Sequence, residues 1–210
     1  MTKQRSLHRI YHLADERNWN SIQENGLLSA AQLLERTGLK SWIRCHRTEN
    51  IQLPNNLIIR DQRPMPPAAL ARCLTHDMTP ADWYGLLNSR VFFWTELERL
   101  NRQRLACTTP QHIMTIDASK LLTHHASRAA VTPFNTGNAR RTPARRGIAS
   151  FVPYNTWVSS GWASESLALG TKTRPLSHKP VELTITDAVA NIFDFVIDLH
   201  RLEPGEQLII

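Results

Sequence analysis

Two adjoining segments constrain this chain more than any other. Thr79-Pro80-Ala81-Asp82 is a helix start. Thr can cap, Pro takes the first helical position where its missing N–H costs nothing, and Asp at the third reaches back to the cap. The helix this predicts runs over Ala81–Asn88 and turns Trp83, Leu86 and Leu87 toward a core. It leads directly into Arg90-Val91-Phe92-Phe93-Trp94, the strongest strand signal in the chain, because its apolar residues are all aromatic or β-branched. A fold that holds both must pack helices against a sheet.

The rest of the pattern agrees. Residues 7–13 alternate well enough for a first strand, which holds His12. Asp15 can cap a helix over Arg17–Asn25 that stops at Gly26. Ser29 and Gln32 form a capping-box pattern for a helix through Arg36, closed by Gly38. Residues 40–56 read as a short helix and a loop, and Leu57–Arg60 as a short strand. Pro64, Pro66 and Pro67 make a rigid connection into a helix ending near Leu74. Glu96–Cys107 reads as a helix with a basic side of Arg99, Arg102 and Arg104. Gln111–Ile116 and Arg128–Thr132 read as strands, with a helix over Ala118–His124 capped by Asp117 between them. Phe151–Trp157 reads as a strand or extended segment, and Leu167–Lys179 as loop. The last strands are expected at Pro180–Ile185 and Asp194–Leu199. Strands outnumber long helices, and the helices gather in the first half. The expected class is α+β, on a mixed or antiparallel sheet, in one domain over residues 1–210.

Charge bears on the partner. Lys and Arg number 25 against 18 Asp and Glu, a formal net charge of +7. Most of the cations are Arg, whose guanidinium pairs with phosphate in a bidentate fork. The densest run is the loop Pro133–Arg146, with Arg140, Arg141, Arg145, Arg146 and no acid. It is expected to be an ordered loop near a nucleic-acid backbone. No apolar run approaches the roughly 20 residues of a membrane span, so no membrane partner is expected. Met1–Ser6 has no apolar segment behind it, which argues against a secretory signal. Cys45, Cys73 and Cys107 are odd in number and far apart, which fits a reducing cytoplasm and three small buried side chains. Cys73-x-x-His76 and His124-His125 have no second half at ligand spacing, so no metal is expected. The fingerprints G-x-x-x-x-G-K, G-x-G-x-x-G and G-x-S-x-G do not occur.

Glu182 stands out, a carboxylate among apolar and β-branched neighbours in Pro180-Val181-Glu182-Leu183-Thr184-Ile185. It is either a charge on a solvated edge strand or a group kept for chemistry.

Three strands in order carry a resemblance. Tyr11-His12-Leu13 is followed by Ile22-Gln-Glu-Asn-Gly26-Leu27; then come Val91-Phe92-Phe93-Trp94, and Val181-Glu182-Leu183 with Asp187-Ala-Val189 behind it. The set resembles the ADP-ribosyltransferase fold, and within it the DarT-type DNA ADP-ribosyltransferases, which are bacterial, and the RNA 2′-phosphotransferases. The resemblance implies sheets that form an NAD cleft, with NAD as substrate and a nucleic acid as acceptor. It implies that His12 and Leu13 hold the adenosine part and that Phe92, Phe93 and Trp94 wall the nicotinamide. It implies that Glu182 is the catalytic carboxylate. It implies a functional arginine on the helix after the aromatic strand, which Arg99, Arg102 or Arg104 could supply; Arg102 is taken for the catalytic and Arg104 for the cofactor-binding role, from the denser cluster Asn101-Arg102-Gln103-Arg104. The middle strand lacks the family's Tyr, and Ser41–Leu74 has no counterpart. The alternatives are a 2′-phosphotransferase-like reaction on phosphorylated RNA, or a non-catalytic nucleic-acid-binding module.

Overall fold

The computed structural model describes residues 5–140 and 143–209. In chain order its elements are β1 (Arg9–Asp15), α1 (Trp19–Asn25), β2 (Leu27–Leu28), α2 (Ala30–Arg36), β3 (Ile51–Gln52), β4 (Ile58–Ile59), α3 (Pro67–Ala71), α4 (Pro80–Asn88), β5 (Arg90–Trp94) and α5 (Leu97–Arg104). They continue with β6 (Gln111–Asp117), α6 (Ala118–His125), β7 (Ala129–Thr132), β8 (Val152–Pro153), α7 (Tyr154–Ser160), α8 (Ala163–Leu169), β9 (Glu182–Thr186), β10 (Ala188–Val189) and β11 (Val196–Leu202). The class is α+β, as expected. The large sheet has seven strands in the order β11-β6-β1-β5-β9-β7-β8. Its pairings are all antiparallel, the simpler of the two expected arrangements.

The local signals act as read. The Thr79 hydroxyl accepts from the Asp82 N–H, and the Asp82 carboxylate accepts from the Thr79 N–H at 2.9 Å. The Asp15, Ser29 and Asp117 side chains each accept a backbone N–H at a helix start. Gly26 ends α1 at φ 70°, ψ −160°, a conformation open in practice only to glycine.

The sheet is two half-sheets joined at one point. β1 shares seven register pairs with β6, and β5 shares five with β9, but β1 and β5 share only Tyr11 with Trp94. Beyond that pair the two strands part. One face of the sheet carries the main core, where Ile10, Phe93, Met114, Ile116, Leu183 and Ile185 meet α6, Trp157 and Trp162. The other face is covered in two patches. Leu100 of α5 and Leu208 pack on Tyr11 and Ile113. Trp83, Tyr84 and Leu87 of α4, with Leu70 of α3, pack with Ala130 of β7. Between these patches the sheet is uncovered, and a cleft forms there.

Three expectations need correcting. Phe151–Trp157 is not a strand: only Val152–Pro153 is, and Tyr154 begins helix α7. Tyr154, Trp157 and Val158 all pack on the main core at spacing i, i+3, i+4, which is a helical face. Residues Ala163–Leu169 form α8, where a loop was expected from Leu167. Cys45 is exposed; only Cys73 and Cys107 are buried. Among the described residues, five of the eight α-helices precede residue 105, the gathering in the first half that the sequence implied.

Candidate active site

The cleft has a volume of about 740 Å³ and is lined by residues from distant parts of the chain. His12, Leu13, Phe92, Phe93, Trp94, Arg102 and Glu182 all lie on it, so the structure brings most of the expected site together.

Glu182 is the first residue of β9, a strand flanked by β5 and β7. The edge-charge reading therefore fails, and the residue is only 5% exposed. Its cross-strand neighbours are Trp94 on one side and Thr132 on the other. Cross-strand neighbours share a face, which puts the carboxylate on the uncovered side. Oε2 accepts from the Thr132 hydroxyl at 2.8 Å, the Thr136 hydroxyl at 2.8 Å and the Thr136 N–H at 3.2 Å. Oε1 makes no hydrogen bond within the chain among the described residues and faces the cleft. Burial pushes the Glu182 carboxyl up to about 7, against the pull of these donors and of Arg146. The group is thus poised between its two protonation states at neutral pH.

His12 lies where β1 and β5 part. Its Nδ1 is 2.8 Å from the carbonyl oxygen of Phe92. A carbonyl only accepts, so Nδ1 carries the proton. Burial lowers the His12 pKa despite that bond, which keeps the ring neutral. Nε2 is then left as an acceptor at the cleft.

The aromatic strand divides by parity. Phe93 is 1% exposed and its ring packs in the main core, although the residue also lines the cleft. Phe92 and Trp94 point to the other face and are half-buried. Phe92 packs toward α4, and Trp94 toward α5, where its Nε1 donates to the Gln103 side chain at 2.6 Å. These two rings stand on opposite sides of the uncovered stretch.

The expected arginines sort differently. Arg102 lines the cleft, but its side chain is 68% exposed and pairs with Glu98 one turn back. Arg104 is 0% exposed and does not line it. Its guanidinium holds the backbone carbonyls of Leu202 and Glu203, so it straps β11 to α5 and is not a cofactor ligand. Arg140 and Arg145 are exposed, as a nucleic-acid contact requires; Arg141 lies outside the described residues. Arg146 is 1% exposed and points inward, so it is not part of a basic surface. Among the described residues no group of three or more His, Cys, Asp or Glu side chains is arranged to hold a metal. Nor is any helix there long and apolar enough to cross a membrane.

The sequence reading missed Arg47. It is 5% exposed yet lines the cleft. Its Nε donates to the Arg60 carbonyl and its Nη2 to Asn88, both at 3.0 Å, while Nη1 has no partner among the described residues. Burial pulls its pKa down to about 10, so it remains a cation at neutral pH. Arg60 lines the same part of the cleft.

Residues 8–196 match the profile of DUF7002, a family of unknown function, and the chain belongs to that family. No curated protein matches it.

Proposed function

We propose that this protein is an NAD-dependent ADP-ribosyltransferase whose acceptor is a nucleic acid, with Glu182 as its carboxylate. One observation carries the reading. A buried carboxylate with one oxygen fully hydrogen-bonded and the other open faces the same cleft as a neutral histidine and two aromatic rings. Both protein strands come from opposite ends of the chain, and the half-sheets diverge between them.

The chemistry suits those groups. Breaking the bond between nicotinamide and ribose leaves positive charge on the sugar, and a fixed carboxylate stabilises that charge. Oε1 of Glu182 is the atom available for it. Nicotinamide departs with the bonding electrons, the acceptor supplies a new pair to the same carbon, and its proton is lost to solvent. Nε2 of His12 accepts from a ribose hydroxyl. Phe92 and Trp94 offer apolar surface for the nicotinamide. The unpartnered Nη1 of Arg47 fits a diphosphate oxygen, a role this reading moves to Arg47 from the helix α5 arginines. Arg140 and Arg145, with the net charge of +7, support a polyanionic acceptor.

Incubation with NAD and a panel of DNA, RNA and protein acceptors tests the reading. Nicotinamide release together with an adduct of ADP-ribose mass on a nucleic acid supports it. Tight nucleic-acid binding without NAD cleavage would favour the binding module instead, and a loss of phosphate from 2′-phosphorylated RNA the phosphotransferase.

A further inference from the structure

Arg146 was expected on a nucleic-acid-binding surface, and the structure puts it behind the catalytic wall. Its guanidinium lies 4.9 Å from the Phe134 ring centroid and 5.5 Å from that of Trp83. Nη1 donates to the Thr136 carbonyl at 3.2 Å and Nε to the Ala144 carbonyl at 3.1 Å. Its backbone is clamped as well. The Arg146 N–H donates to Cys73 at 2.7 Å, and its carbonyl accepts from the Thr75 N–H at 2.9 Å. Thr136 is the residue whose N–H and hydroxyl both donate to Oε2 of Glu182. A single residue therefore separates a buried guanidinium from the buried carboxylate.

A cation this deep is costly unless it does something there. The loop from Pro133 to Asn138 contains no helix or strand to fix it. Arg146 supplies what the backbone does not: it holds Thr136 from behind through its carbonyl and adds positive charge on the same side. We propose that Arg146 is a positioning residue for Glu182, which acts through Thr136 to fix the carboxylate's orientation and keep it ionised, and that it makes no contact with nucleic acid.

The surroundings limit what else could produce the effect. Among the described residues Arg146 is a charged group that acts on Glu182, while the hydrogen-bonded and cross-strand neighbours Thr132, Thr136 and Trp94 carry no charge. Arg146 itself faces Glu182 and the Cys73 thiol, whose own pKa burial raises, and Arg174 shares the Phe134 ring at 5.8 Å. The other charged groups along the cleft (Arg47, Arg60, Asp61, Arg90, Arg99 and Arg102) make no hydrogen bond to Glu182.

The role, which rests on the proposed function, has a readout that needs no substrate. Carbon-13 labelling of glutamate carboxyls, with Glu182→Gln to assign the signal, gives the Glu182 titration directly. Removing one nearby buried cation in Arg146→Met should raise its midpoint by about one pH unit or more. Arg146→Lys, which keeps the charge and loses the fork, should raise it less. Should the Met variant not fold, the Lys variant carries the test, since it keeps the charge and loses the fork that holds the Thr136 carbonyl. In nicotinamide release, Arg146→Lys should lower kcat more at pH 6.5 than at pH 8.5, with KM for NAD little changed. Nucleic-acid affinity should not change. An unmoved Glu182 midpoint in a folded Arg146 variant overturns the proposal, as does lost nucleic-acid affinity with the pH profile intact. A shifted midpoint in a protein that never releases nicotinamide would leave the Arg146 link standing and remove the transferase reading.

Discussion

Thr136 holds Glu182 twice, with its hydroxyl at 2.8 Å and its backbone N–H at 3.2 Å, both on Oε2. Thr132 adds a third donor to the same oxygen at 2.8 Å. A buried carboxylate this firmly held on one side presents its other oxygen at a fixed place, which is what stabilising a developing charge requires. The donors do not fully offset burial, and the group titrates near neutrality.

That balance predicts a stability signature. The carboxyl has a pKa of about 7 in the folded protein, against 4.5 as its ordinary value. Between those values the folded state holds a proton that the unfolded chain has released, so this group's contribution to stability falls as pH rises. Glu182→Gln removes the slope. Relative to wild type, the variant should gain stability from pH 5 to pH 8, by on the order of 3 kcal/mol. Urea unfolding at the two pH values measures the gain; the same difference at both would contradict the assignment.

The threonines have separable effects. Thr132→Val keeps the shape and removes one donor from a buried acceptor, which should cost about 1–2 kcal/mol at pH 8. The cost should shrink at pH 5, where the carboxyl is protonated and needs its acceptor bonds less. Thermal unfolding at both pH values checks this.

Arg47 and Arg102 should part company. Arg102 is exposed and paired with Glu98 along the helix, an arrangement that contributes roughly 0.3–0.5 kcal/mol. Arg102→Ala should leave stability and NAD affinity nearly unchanged. Arg47→Met fills much the same volume but removes a buried guanidinium, with its unsatisfied Nη1, from the wall of the cleft. It should weaken NAD binding by about tenfold or more, the scale of one charge-assisted contact. Calorimetric titration of NAD into both variants decides between them.

Gly26 tests the fold apart from the site. A Cβ there would lie 2.3 Å from the Ala190 carbonyl oxygen and 2.4 Å from that of Val189, both backbone atoms. Gly26→Ala should cost at least about 2 kcal/mol through strain and the displacement of β10. Denaturant midpoints measure it.

How much the sequence disclosed depended on how local each signal was. The Thr79 cap, the Phe92–Trp94 strand and the Gly26 stop depend on residues within a few positions, and they folded as read. Helix α7 misled because Phe151, Val152, Tyr154 and Trp157 have strand-like composition; the spacing of Tyr154, Trp157 and Val158 was the better signal. The arginines could not be sorted locally. Arg47 is defined by Arg60 and Asn88, 13 and 41 residues away, and Arg104 by carbonyls 98 and 99 residues away. Arg146 sits in a basic run that looks like surface, and only Thr136, Trp83 and Phe134 show that it is core. Glu182 was visible as an odd acid in an apolar strand, but its place inside the sheet came from the strand order alone.

Nicotinamide release from NAD, compared between wild type and Glu182→Gln across pH 5.5–8.5, tests the central claim most directly. Wild type should release nicotinamide with a rate that rises through about pH 7, as the carboxylate becomes ionised. Glu182→Gln should lose about 100-fold or more at every pH, the scale of removing one preorganised electrostatic group, while remaining folded. A Gln variant that releases nicotinamide at the wild-type rate would contradict the account.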